Sequence, residues 1–198
     1  MAPEDSKAPF LRIPWTAALL SDPDLVTRIP GSRQFKATGE DALFAVTLRT
    51  PDTLGSCVSV YRSPRPEDPQ IDEVLTFVLL GTALDGHPGI LHGGIVAALL
   101  DEAMGILQTA NHERDHALRS AKGTDVPDPG LGSFTAFLNL KYLRPVKTSA
   151  AAVVAARYQR REGRKDWVEA EIRQEHGGEV VVCASAEGLF VVPRVRKL

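Results

Sequence analysis

Asp101 and Glu102 stand side by side in a stretch, Ile95 to Ala110, whose other residues carry no charge. Burying a carboxylate is costly unless it is paired or put to use. The pair is therefore either an anchor, bonded to an Arg or capping a neighbouring strand, or part of a catalytic site. Just upstream lies His92-Gly93-Gly94. A helix beginning at these glycines presents backbone N–H groups at its positive end, where a developing oxyanion can be held. Glycine also lets a ligand approach the backbone closely. One short region thus carries an oxyanion donor and a candidate base.

The stretch has no Pro and one Gly, so it reads as a helix of 16 residues, apolar nearly all round and expected to be buried on all sides. Neighbouring residues on a helix project about 100° apart. Asp101 shares its side with Gly94, Ala97, Ala98, Gly105 and Gln108, a groove of small residues, whereas Glu102 sides with Ile95, Ala98, Leu99 and Ile106. Gly93 and Asp101 are eight residues apart, which is roughly 12 Å along the axis at ~1.5 Å per residue. A base and an oxyanion donor must both come within about 3 Å of one reacting group. One helix cannot supply both to a single carbonyl. If both act, Gly93 of one subunit faces Asp101 of a second, and a two-fold dimer with two equivalent sites follows.

The rest of the chain must position this helix. Residues 1–40 hold Pro3, Pro9, Pro14, Pro23 and Pro30 and read as an arm with a short helix around Trp15 to Leu20, which Pro14 can start. Leu43 to Leu48 and Val58 to Arg62 read as short strands, Ser63 to Gln70 as a loop, and Val74 to Leu80 as a buried strand. After the helix, the polar segment 111–132, with Pro127 and Pro129, reads as a long loop or a helical extension. From Ser133 the period changes to two. Phe134, Ala136, Leu138, Leu140 and Tyr142 alternate with Thr135, Phe137, Asn139 and Lys141. Strands at Ala150 to Gln159, Trp167 to Arg173 and Val180 to Val192 follow, joined by turns at Glu162-Gly163-Arg164 and His176-Gly177-Gly178-Glu179. The order predicts an α+β domain over 41–198, an antiparallel sheet wrapped around one long central helix.

Composition narrows the function classes. The chain has 198 residues, 43% hydrophobic and 24% charged, as in an ordinary globular domain. A net charge of −2 argues against a nucleic-acid partner held by bulk charge. No apolar run approaches the ~18 residues of a membrane span. Cys57 and Cys183 read as free intracellular thiols rather than a disulfide framework. The start carries Glu4 and Asp5 and no apolar core of a secretory signal. The expected location is intracellular, the cytoplasm rather than the mitochondrion.

The run Gly86-His87-Pro88-Gly89-Ile90-Leu91-His92-Gly93-Gly94, followed by Ile95 to Asp101, resembles the hotdog-fold acyl-CoA thioesterases of the PaaI and Them type. Thr135 to Pro145 is similar to the strand that follows the helix in that family, and the resemblance covers Val74 to Val192. It implies hydrolysis of an acyl or aryl thioester to a free acid and CoA, with no metal or prosthetic group. Gly93 would donate its N–H to the thioester carbonyl. Asp101 would be general base or nucleophile, Thr135 would hold the attacking water, and His92 would orient the loop. The site would lie at a dimer interface, and many members pair two dimers into a tetramer. Relatives carry Asn or Gln six residues before the motif His. Here that position is Gly86, with His87 beside it as a substitute. Gly94, His87 and Arg144 are candidate substrate contacts, and Arg144, Lys147, Arg160 and Arg161 are candidates for the CoA phosphates. A non-catalytic acyl-CoA binder and a hotdog hydratase or dehydratase are the competing readings.

Two further motifs carry less. His176-Gly177-Gly178 repeats the glycine pair but lies between two strands with no helix after it, so it reads as a hairpin turn. His112-Glu113-Arg114-Asp115-His116 has zincin spacing, but its surroundings are charged and no clear third ligand follows.

Overall fold

A computed structural model describes residues 4–65, 67–123 and 132–193. Its centre is one long helix, α3 (Gly93–Ala121), which follows α1 (Ala8–Leu11) and α2 (Pro14–Leu19) in the chain. Before it come the strands β1 (Leu25–Arg28), β2 (Leu54–Arg62) and β3 (Glu73–Leu80), and the short hairpin of β4 (Asp85–His87) and β5 (Ile90–Leu91). After it come β6 (Phe134–Tyr142), β7 (Ala150–Glu162), β8 (Lys165–His176) and β9 (Glu179–Val191). Seven strands form one antiparallel sheet in the order β1-β2-β3-β7-β8-β9-β6. This is the expected α+β architecture, a hotdog fold with the sheet wrapped around α3.

Alternation sets the faces. Along β8, Asp166, Val168, Ala170, Ile172 and Gln174 are buried while their neighbours are less so, as in a strand with one face on a core. Val168 and Ile172 share the main core with Val96, Leu99, Leu100, Ala103, Met104 and Leu107 of α3 and with Val74, Val78 and Val154. At Gly188 a Cβ would lie 2.9 Å from Met104 Sδ, so the helix rests directly on β9 there. β7 departs from alternation. Ala151 to Ala156 are buried on both faces, because Phe10 and Leu20 of the arm lie on the outer face with Val58, Val60, Phe77 and Val153.

Two elements differ from expectation, and a third takes one of the two forms expected. Leu43–Thr47 is a wide π-type turn, not a strand. The buried Arg33 guanidinium donates to Phe44 O, Leu48 O and Leu54 O, and this holds the turn against the sheet. β1 gives the arm a place in the sheet, paired with β2. Of the two readings of segment 111–132, the structure takes the helical extension at its start, because α3 runs on to Ala121. Buried Asn111 accepts from Ile71 N–H and donates to Ile71 O, and Arg114 donates to Pro69 O and Asp68 O. These bonds hold the polar extension as helix. Residues 124–131, with both prolines, lie outside the described residues. The two hairpin turns form as expected, with Gly163, Gly177 and Gly178 at positive φ. Among the described residues no helix is long and apolar enough to cross a membrane, and Cys57 and Cys183 are free.

Candidate active site

The N-terminus of α3 is built around His92. It sits at φ −58, ψ 134 as the N-cap, and its Nδ1 accepts from Gly94 N–H at 3.0 Å. Its own N–H donates to Leu84 O, and its carbonyl accepts from Ile95 and Val96. Gly94 therefore does not offer a free N–H as expected, because the His92 ring takes it. Gly93 N–H has no acceptor among the described residues. Among the described residues nothing requires glycine at position 93. Its φ is not positive, and a Cβ would meet only the Tyr142 ring, at an ordinary 3.6 Å. The missing side chain leaves the N–H open to whatever approaches from outside.

Gly86 is different. A Cβ there would lie 2.9 Å from His92 Cα, so packing against the motif backbone demands glycine. The polar side chain expected of relatives has no room at this position. His87 is exposed in the β4–β5 hairpin, and among the described residues it makes no hydrogen bond to Gly93, Asp101 or Thr135. The hairpin is set instead by Asp85, whose carboxylate accepts from Gly89 N–H and from the Thr148 hydroxyl.

Asp101 is met by Thr135, whose Oγ1 donates to Asp101 Oδ1 at 2.8 Å. Simple alternation would put Thr135 on the face of β6 opposite Leu138, Leu140 and Tyr142. A bulge between Thr135 and Phe137 removes that conflict. One extra residue reverses the facing of the strand before it, so Thr135 joins Leu138 and Leu140 on the helix side. At the other end of β6 the Tyr142 hydroxyl donates to Gly93 O at 3.0 Å. A single strand thus touches both halves of the candidate machinery. The Tyr142 contact was not expected; its place in the alternating set was the only signal.

Glu102 points elsewhere. It accepts from the Ser32 hydroxyl of the arm. Burial raises its carboxyl to about 6, against the pull of the Ser32 bond. Among the described residues neither Asp101 nor Glu102 makes an ion pair. The two carboxylates therefore divide: Glu102 ties the arm to α3, and Asp101 faces the edge strand.

The basic candidates also separate. Arg144 donates to Val182 O and stands near Lys147, and both charges help hold His176 below the usual imidazole range, after burial as the larger cause. They lie just past Tyr142, at the Gly93 end of β6. Arg160 and Arg161 are at the far end of β7. Arg160 pairs with Glu162 and stacks 3.8 Å over Trp167, and Arg161 pairs with Asp166. In the zincin-spaced segment, Glu113 is paired with Arg28. The described residues hold no group of three or more His, Cys, Asp or Glu placed to bind a metal ion.

Comparison with known proteins places this arrangement. The family model of the thioesterase superfamily matches residues 88–181, from the motif loop into β9. Verlamelin biosynthesis protein B of Lecanicillium sp is 31% identical over 173 residues, covering 78% of this chain and 74% of that protein. The chain belongs to the thioesterase superfamily. Acyl-coenzyme A thioesterase THEM4 of Bos taurus is 31% identical over 122 residues, which span 61% of this chain and only 42% of the bovine protein. Among solved structures, a thioesterase superfamily protein superposes with a TM-score of 0.51 at 22% identity, covering 97% of this chain and 80% of that one. That likeness extends the shared fold over the arm as well as the central domain. The superfamily match begins at residue 88, so the arm and its Ser32 contact lie outside the matched region.

Proposed function

We propose that this protein hydrolyses an acyl-CoA thioester to a carboxylic acid and CoA, at a site shared by two subunits. The observation that carries the reading is the Thr135–Asp101 hydrogen bond on the same edge strand whose other end meets Gly93. Thr135 occupies Oδ1 and leaves Oδ2 to take a proton from water. The hydroxide formed attacks the carbonyl carbon, the negative oxygen is held by the open Gly93 N–H, and collapse expels the CoA thiolate. Thr135 fixes which carboxylate oxygen works and where the water lies.

The strand order supports the sharing. β6 is a sheet edge, and several of its apolar side chains face solvent: Phe134 is 54% exposed, Phe137 47%, Tyr142 61% and the following Leu143 53%. An exposed apolar edge invites a second strand. If β6 pairs antiparallel with its own copy across a two-fold axis, the ends exchange. The Tyr142–Gly93 end of one subunit then meets the Thr135–Asp101 end of the other, which removes the distance problem within one helix. Arg144 and Lys147, at the Gly93 end, would meet the CoA phosphates there.

The test is release of free CoA from a panel of acyl-CoA thioesters, followed by a thiol reagent. Turnover lost in Asp101→Asn supports the reading. Tight binding of acyl-CoA without thiol release would sink it in favour of a binding protein.

A further inference from the structure

We infer that the groove between the N-terminal arm and α3 receives the acyl group, and that Glu102 on its wall selects acyl chains bearing a hydroxyl. The inference rests on the thioesterase reading above and names the substrate class for that site. The groove encloses about 990 Å³, at the upper end of small-molecule sites. On α3 its lining starts at Glu102, and Gly105 follows, one helical turn beyond Asp101 on the same side. Glycine weakens a helix interior, yet a Cβ at Gly105 would meet nothing within 4 Å, so packing within the chain does not require it. The groove continues along the helix past Thr109 to His112. From Asp101 to His112 is roughly 16 Å at ~1.5 Å per residue, a reach suited to a medium-length chain.

The lining decides what kind of chain. Ile106 and Phe134 supply apolar wall for methylene groups. The cations on the lining are already engaged: Arg28 bonds Glu113 at 2.9 Å, and Lys36 bonds Glu40 at 2.7 Å and Asp41 at 2.6 Å. Among the described residues Glu102 accepts a hydrogen bond from the Ser32 hydroxyl alone, so most of its acceptor sites remain open to a donor. A hydroxyl on the acyl chain can donate to it. A chain ending in a carboxylate would meet four carboxylates among the described lining residues, where Arg28 and Lys36 are already paired and His112 and His116 are the remaining basic side chains. Ser32, Lys36, Glu40 and Asp41 all come from residues before the superfamily match, so the selecting wall lies outside the part of the chain that the superfamily model matches.

The experiment compares kcat/KM for three CoA thioesters of one chain length: unsubstituted, hydroxylated at successive carbons, and ending in a carboxylate, with acetyl-CoA as a reference that does not enter the groove. One hydroxylated isomer should exceed the unsubstituted chain by roughly ten-fold or more, the scale of a hydrogen bond to a charged acceptor. The carboxylate-ended chain should be the poorest. Glu102→Leu should abolish the hydroxyl preference, and Gly105→Leu should lower the ratio of long-chain to acetyl kcat/KM. The wild-type ratios need no variant to fold. Turnover of acetyl-CoA and long chains with no preference for any hydroxylated isomer overturns the inference and leaves the thioesterase reading standing. No thiol release from any thioester overturns that reading, and the inference with it.

Discussion

Gly93→Pro deletes one backbone N–H and little else. Proline is favoured at the first helical position, and His92 already holds φ −58, ψ 134, which a residue before proline accepts. Losing one oxyanion donor costs ~10²–10³ in kcat. Asp101→Asn removes the base and costs ~10²–10⁴. Each variant alone is therefore nearly inactive at both sites of its dimer. The two groups stand roughly 12 Å apart along α3, so each reaction draws them from different subunits. In a mixed dimer one site carries both lesions and the other carries neither. Random pairing of equal amounts makes half of the dimers mixed, so the mixture should recover about a quarter of wild-type turnover by two-fold symmetry. Co-expressing the variants with different affinity tags isolates the mixed dimers, which should reach about half of wild-type turnover in CoA release. Purified mixed dimers no more active than their parents would refute the shared site, and with it the geometric argument from β6.

Three other outcomes are expected. Thr135→Ala should lower kcat by less than Asp101→Asn, since positioning the water is only part of the barrier, and Thr135→Ser, which keeps the hydroxyl, should restore most of it; equal losses for Ala and Ser would show that the hydroxyl is idle. Glu102 has a folded value of about 6 against 4.5 unperturbed. The stability it contributes is full below 4.5 and is lost as pH rises through 6, by about 2 kcal/mol. Denaturant melts should therefore show Glu102→Gln gaining on wild type by about that amount across the window, whereas a pH-independent difference would contradict the buried acid. Gly86→Ala should cost ~1–3 kcal/mol by overpacking against the His92 backbone and should lower turnover together with Tm, and unchanged stability would mean the motif loop yields freely.

The elements near the site were legible because their signals are local. The glycine pair, the acid pair and the uncharged run mark where α3 begins and which residues share its sides, since helical geometry follows from adjacent residues alone. Gly177 and Gly178 declare a turn because only glycine takes two positive φ angles cheaply. The π-type turn at Leu43–Thr47 was not legible. It depends on a guanidinium reaching three carbonyls, the farthest 21 residues away. The helical extension past Asn111 likewise depends on Ile71, 40 residues back.

By itself the chain determined the fold class, the central helix, the motif at its start, and the impossibility of one helix serving one carbonyl with both Gly93 and Asp101. Only the tertiary structure decided how the two carboxylates are used. Thr135 reaches Asp101 across 34 positions, Tyr142 reaches Gly93 across 49, and Ser32 reaches Glu102 across 70. None of these is encoded in a period. The bulge in β6 turns Thr135 to the helix against its own alternation, and the strand order leaves β6 at the edge. Periodicity records which face of an element is apolar; which other element comes to that face is decided when the chain closes on itself.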